Sequence, residues 1–318
     1  MIEAVIEIVV APPYLTVQDE GRTGHRAEGV PAGGAMDSWA HAVANVLVGN
    51  PASAAGLEWS LSGGRIRWLR PGVFALGGAR VEAALDGEPV AMHRSYRAEA
   101  GSELAITRFL SGRFVYVAVA GGIEVAPVLG SRSTYLPARF GGFEGRLLRA
   151  GDRLPVGDAG VPEVRVGFAA PGDLEPRYES AECGVVQGPH ADLFSADAWR
   201  VLMETAFGVD AASDRMGYRL LGPAIAHRGD PALPSAPVCA GAVQVPAGGR
   251  PIVLMADGPT VGGYPVIGVV CSADLPLVAQ RVPGEFLRFR AMRVEESQRA
   301  FRRRAVAIHT LAHLVRPA

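Results

Sequence analysis

Residues 112–130 read GRFVYVAVAGGIEVAPVLG, and residues 249–268 read GRPIVLMADGPTVGGYPVIG. Each stretch opens on a Gly-Arg pair, continues through an apolar run, and closes in a glycine-rich loop. That is the pattern of a buried strand leaving a turn. The strand pattern reads as an all-β barrel or sandwich, and the loose echo between the two stretches hints at two related barrels in one chain. Further strand signals lie at 5–10, 65–69, 73–76, 114–120, 252–256, 266–271 and 286–292, bounded mostly by Gly, Pro or Asp. With Gly 40 and Pro 24 in 318 residues, tight turns and short strands are favoured over long helices. A chain of this length exceeds what one core usually supports, so two domains are expected. The turn-rich stretch 151–167 separates halves of similar size, which places one domain at 1–158 and the next at 159–297, with a helical tail at 298–318.

A few short helices interrupt the strands. Asp37 can cap one that carries Trp39, Val43, Val46 and Leu47 on a shared face and ends at Gly49. Ser195 starts a second, carrying Trp199, Leu202, Met203 and Ala206, and 274–280 forms a third. The pattern of 294–315 is helical and solvated, with Arg302, Arg303 and Arg304 clustered.

Composition removes several functions. A formal net charge of -1 gives no field that would draw the chain to nucleic acid or an anionic membrane. No apolar run is long enough to span a bilayer, and the apolar start at 2–10 carries Glu3 and Glu7 without a basic leader, so it reads as a strand. The sequence contains no lysine. A P-loop, a Schiff-base amine and a biotinylated lysine are therefore all absent from it, and any anion must be met by arginine forks or backbone amides. Cys183, Cys239 and Cys271 are odd in number and widely spaced, which suits a reducing cytoplasm and no zinc site.

His309 and His313 sit one helical turn apart, but Thr310 stands where HExxH needs its glutamate. Neither a GxSxG elbow nor a GxGxxG fingerprint occurs. Five polar or glycine-rich clusters remain. Gln18–Arg22 offers Asp19 and Arg22, followed by Gly29-Val30-Pro31 and Gly33–Asp37; it can bind a ligand or simply lead into the helix cap. The run 130–135 offers Arg132 and Ser133 to an anion or makes a polar turn. Residues 213–219 pack Asp214 and Arg215 beside Gly217, as a ligand clamp or an Asp–Arg ion pair. Gln244 lies in a strand at 241–246, where it can also satisfy buried backbone. Asp257 and Tyr264 belong to the loop 257–265, which can cradle an anion or turn a hairpin.

Taken in order, the stretches TVQDEGRTG, GVPAGGAMD, ANVLVGN, LEWSLSGG, VAVAGGIEVAPVLGSRSTY, GGFEGRLLRAGDRL, SDRMGYRLLGP, GAVQVP and DGPTVGGYP resemble the KipA-like family. This is the biotin-dependent carboxyltransferase family that includes the C-type subunit of 5-oxoprolinase and allophanate hydrolase subunit 2. The likeness covers residues 4–297. It implies a mainly β fold of two cyclophilin-like β-barrel domains with a few short helices. It also implies work within an ATP-dependent 5-oxoprolinase, opening 5-oxoproline to glutamate together with a KipI-like B-type subunit and a third subunit, with ATP shared among them. The resemblance leaves two alternatives: a carboxyltransferase subunit acting on urea or a similar amide with carboxybiotin from a separate carrier, and a non-catalytic regulatory partner of a KipI-like protein. Carried over residue by residue, it implies catalytic roles for Asp214, Arg215 and Asp257, and substrate-binding roles for Asp19, Arg22, Arg132, Ser133, Gln244 and Tyr264. The chain departs from the family pattern at Val266, where a basic residue usually follows Gly-Gly-Tyr-Pro, and at Ala236, usually polar or acidic.

Overall fold

The computed structural model describes residues 4–157, 166–172, 174 and 178–316. The chain forms two compact units: Met1–Arg22 with Gly33–Pro176 and Ala305–Ala318, and Thr23–Ala32 with Arg177–Arg304. A boundary between 158 and 159 lies outside the described residues.

In the first unit the strands are β1 (Ala4–Val10), β2 (Leu15–Gln18), β3 (Gly56–Ser60), β4 (Gly64–Trp68), β5 (Gly72–Leu85), β6 (Glu88–Pro89), β7 (Ser95–Ala98), β8 (Glu103–Val119) and β9 (Arg153–Pro155). They make one nine-stranded sheet in the order β2-β3-β8-β4-β1-β9, with β5 also on β8 and carrying β6 and β7, an open half-barrel. Two long strands dominate it. β5 and β8 pair from Phe74↔Val119 to Leu85↔Leu104, with register shifts between Gly78 and Arg80, between Arg80 and Val81, and between Glu82 and Ala83. Such bulges bend and twist a strand, which lets β8 serve β3 with one half and β4 with the other. The apolar signals at 73–76 and 114–120 are only the buried portions of these strands. Their far halves alternate with Arg80, Glu82 and Arg108 and escape an apolar-run criterion.

The core of this unit is apolar and wholly buried at Ile6, Ile8, Leu15, Val17, Leu57, Trp59, Ile66, Trp68 and Phe74. Helix α1 (Ser38–Leu47) begins where Asp37 accepts a hydrogen bond from Ala40 N at 2.9 Å. It packs so closely on β5 that a Cβ at Gly77 would lie 2.6 Å from Ala40 O.

In the second unit, β10 (Glu182–Gln187), β11 (Phe207–Val209), β12 (Gly217–Leu221), β14 (Ala242–Gln244), β15 (Ile252–Leu254), β17 (Val266–Val270) and β18 (Phe286–Ala291) close a seven-stranded barrel in the order β10-β17-β14-β15-β12-β11-β18. The barrel is shut by β10 running parallel to β18, with Cys183 opposite Phe289. Two short strands, β13 (Ala236–Pro237) and β16 (Val261–Gly262), pair with each other as a separate ribbon.

Helix α2 (Ala196–Glu204) is capped by Ser195, whose Oγ accepts from Ala198 N at 3.0 Å. It stops two residues before the expected Ala206. Thr205 is already extended and leads into β11, where Phe207 is buried, so the barrel's demand for that strand overrides the helical pattern. α3 (Leu275–Ala279) and α4 (Val294–Leu314) complete the set. α4 is not solvated throughout, since Leu311 is fully buried. No helix among the described residues is long and apolar enough to cross a membrane.

Candidate functional site

Asp19 follows β2 directly and is the hub of the first cluster. Its carboxylate accepts from Ser131 Oγ at 2.6 Å, from Ser133 Oγ, from Gly21 N at 2.8 Å and from Arg132 N at 2.5 Å. Ser133 Oγ in turn accepts from Asp19 N at 2.9 Å. Burial works to raise this carboxyl's pKa, but the hydrogen bonds from Ser131, Ser133, Arg132 and Gly21 outweigh it and hold it below the usual carboxylate range. With both oxygens occupied, Asp19 fixes the 131–133 loop.

Arg22 is also buried. Its Nη2 donates to Ser133 O at 2.5 Å, and its guanidinium carbon lies 4.8 Å from the centre of the Phe140 ring. Gly141 is required beside it: its φ is +69°, and a Cβ there would fall 2.1 Å from Ser133 O and 2.9 Å from Arg22 Nη2. Arg132 differs. Its guanidinium is half-buried and pairs with Glu124, and its Nε finds no hydrogen-bond partner among the described residues. Asp19, Arg22, Arg132 and Ser133 thus come together, with Asp19 and Arg22 shaping the loop from which Arg132 projects.

Behind this loop lies polar packing that sequence reasoning missed. His41 on α1 is buried, with Nε2 3.2 Å from Gln18 O and 3.2 Å from Asn45 Nδ2. Burial pushes its pKa down to about 4 despite the opposing field of Asp19. Glu58 on β3 accepts from Tyr116 OH and Met36 N, each at 2.8 Å, and is fully buried. Glu58 stands between Leu57 and Trp59 in β3, which was the available signal.

In the second unit, Arg215 and Asp257 form a buried fork. Arg215 Nε donates to Asp257 Oδ2 and Nη2 to Oδ1, both at 2.8 Å, and Asp257 N donates to Arg215 O at 2.9 Å. The alternative of an Asp–Arg ion pair is met by Asp257, 42 positions away in sequence, and not by the adjacent Asp214. Asp214 instead bends the turn, accepting from Met216 N at 2.8 Å and Gly217 N at 3.2 Å. The fork therefore ties the 213–217 turn to the start of the 257–265 loop.

That loop returns over β14. Gln244 is 4% exposed, and a Cβ at Gly262 would lie 2.5 Å from its Nε2. The alternative that Gln244 satisfies buried backbone is not met: its Nε2 has no hydrogen-bond partner among the described residues. Tyr264, at 50% exposure, projects from the end of the loop. Ala236 lies opposite Gly262 in the ribbon, and Val266 is buried in a small apolar cluster with Val238, Ala242 and Leu254. His190 was not singled out in the sequence. Its Nδ1 accepts from Val266 N at 3.1 Å while its own backbone N–H donates to Val266 O at 3.3 Å, clipping the start of β17. Arg26 was likewise missed; its Nη2 donates to Val238 O. Among the described residues no group of three or more His, Cys, Asp or Glu side chains could hold a metal ion.

A half-barrel and a closed barrel, each bearing loops braced by a buried Asp, with arginine in place of lysine throughout, make a two-part β scaffold. The chain belongs to the family described as carboxyltransferase domain, subdomain A and B, whose model matches residues 28–291. It is 39% identical to the C-type subunit of 5-oxoprolinase from Escherichia coli K12 over 93% of this chain and 94% of that one. It is 33% identical to the protein of the same name from Haemophilus influenzae over 98% of each. Its fold superposes on the crystal structure of Kluyveromyces lactis urea carboxylase with a TM-score of 0.91 at 28% identity, covering 98% of this chain and 29% of that much longer one.

Proposed function

We propose that this chain is the C-type subunit of a multi-subunit, ATP-dependent 5-oxoprolinase, which opens the lactam of 5-oxoproline to glutamate. The observation that carries the reading is similarity over nearly the whole length of both chains to two proteins named as that subunit. The partners in this reading are a KipI-like B-type subunit and a third subunit. ATP is handled with them, because a chain without lysine has no P-loop lysine to grip phosphates.

The residues of this chain then divide by what their atoms have left to offer. Asp19 and Ser133, and likewise Arg215 and Asp257, are largely engaged in holding loops, while Arg22 braces Ser133 O through Nη2 and Asp214 bends its turn through Oδ1. Positioning is itself a large part of catalysis when a reaction needs several groups aligned. Arg132, Gln244 and Tyr264 retain donors for a substrate. The guanidinium of Arg132 suits a carboxylate or a phosphorylated intermediate, and Gln244 suits an amide.

A second reading has its own support. The family description and the fold match to urea carboxylase favour transfer of carboxylate from carboxybiotin to an amide. Such a chain needs biotin brought on a separate carrier. Co-expression with its neighbouring genes followed by assay of 5-oxoproline-dependent glutamate formation tests the leading reading. Turnover that requires biotin and bicarbonate supports the second instead, and a stable complex without turnover on either substrate supports a regulatory role.

A further inference from the structure

The ribbon of β13 and β16 stands outside the barrel's hydrogen-bonded circuit. Val238, which follows β13, belongs to the apolar cluster with Ala242, Leu254 and Val266, against which Ile252 and Val269 pack. Gln244 brings a polar side chain to this place. Gln244 faces Ile252 on one neighbouring strand and Val266 on the other, so all three share a face of the sheet. Its carboxamide is pressed against the bare α-carbon of Gly262, where any side chain would collide with Nε2. Burying an amide donor without an acceptor is costly, and native proteins do so rarely. A ligand supplies the missing partner most simply.

We propose that Gln244 reads the amide edge of the substrate by a two-point contact, its N–H donating to a carbonyl oxygen and its Oε1 accepting from the N–H of the same amide. This deepens, and rests on, the 5-oxoprolinase reading. A five-membered lactam is forced to be a cis amide, so its C=O and N–H lie on one edge. Urea and primary amides also present such an edge. An open-chain secondary amide is trans and puts the two groups on opposite sides, where one carboxamide cannot meet both. Flipping the carboxamide alone would set N–H against N–H and O against O, so the lactam edge must turn over with it for donor to meet acceptor again. The walls fit the rest of a lactam ring: Val238, Leu254 and Val266 are apolar and suit methylenes, and no member of the cluster is charged. The charged end of the substrate must therefore point away from it. The ribbon is laddered to itself and not to β14, so it can lift without breaking a barrel strand pair.

The test is a titration of the full chain, followed by ligand-observed NMR, with 5-oxoproline, 2-pyrrolidinone, N-methyl-2-pyrrolidinone and N-methylacetamide. We expect saturable binding of the first two and binding weaker by about tenfold or more for the N-methyl lactam and the trans amide, in line with loss of hydrogen bonds at a site built to make them. Gln244→Leu is expected to abolish the preference while retaining cooperative thermal unfolding. Equal binding of the N-methyl lactam, a preference that survives Gln244→Leu, or no saturable lactam binding overturns the proposal. If the variant fails to fold, the wild-type ligand series decides alone. Should the reconstituted complex show no 5-oxoproline turnover while the lactam preference and its loss in the variant persist, the assigned reaction fails and the amide reader stands.

Discussion

Arg215 shows how one side chain can be legible in type and not in role. The sequence marked it as a cation in a loop, beside an acid and a flexible glycine. In the fold its fork is committed to Asp257, with 7% and 4% of the two side chains exposed. Removing one partner from a buried pair strands the other charge, so Arg215→Ala is expected to destabilise the fold by about 3–5 kcal/mol. Replacing both partners by apolar residues, Arg215→Met with Asp257→Leu, should recover most of that loss. Chemical denaturation of the two singles and the double checks this, and an additive double variant would contradict it. Lysine cannot reproduce two parallel hydrogen bonds, so Arg215→Lys should fall between wild type and alanine.

Acid stability also belongs to single residues. His41 and His93 are both held near a pKa of about 4 by burial, well below the unfolded value. The unfolded chain takes up protons between about pH 6.5 and 4 that the folded chain refuses, so stability falls as pH drops through that window. Asp19 carries the loss further. Its lowered pKa contributes stability above the unfolded value, and that contribution disappears as pH falls through the folded one. Urea midpoints measured between about pH 7 and 4.5 should therefore decline less steeply in His41→Gln, and also in His93→Asn, which suits the left-handed backbone at φ 55°. A slope parallel to wild type in both would refute the assignment.

At the scale of elements, helix α2 offers a separable test. Ser195 caps it through one hydrogen bond, and Ser195→Ala should cost about 1 kcal/mol without altering activity of the folded complex. A drop in specific activity at unchanged folded fraction would mean that α2 takes part in the site. The elements themselves were legible where burial is one-sided or complete. The apolar runs at 5–10, 266–271 and 286–292 became β1, β17 and β18 to within a residue. Legibility failed where long strands alternate with charge, as in the outer halves of β5 and β8, and where strands are too short to show a period, as in β13 and β16. Side-chain roles failed for a different reason. The partner of Arg215 is 42 positions away and the serines that bind Asp19 are 112 and 114 away, and neither separation leaves a trace in local pattern.

For the whole molecule, the mainly β fold in two units was implied by resemblance and is what the structure has, as a half-barrel and a closed barrel. Function was legible through ordered motifs and not through any one of them, because each cluster alone is also a reasonable turn. The central claim is that this chain serves lactam opening as a subunit and does not perform it alone. The most direct measurement is 5-oxoproline-dependent ADP release by the purified chain beside that of the complex co-purified with the proposed KipI-like and third subunits. No release above background is expected from the chain alone, and sustained release from the complex, with glutamate formed in step. Sustained release by the isolated chain, or none from an intact three-part complex, would contradict the claim.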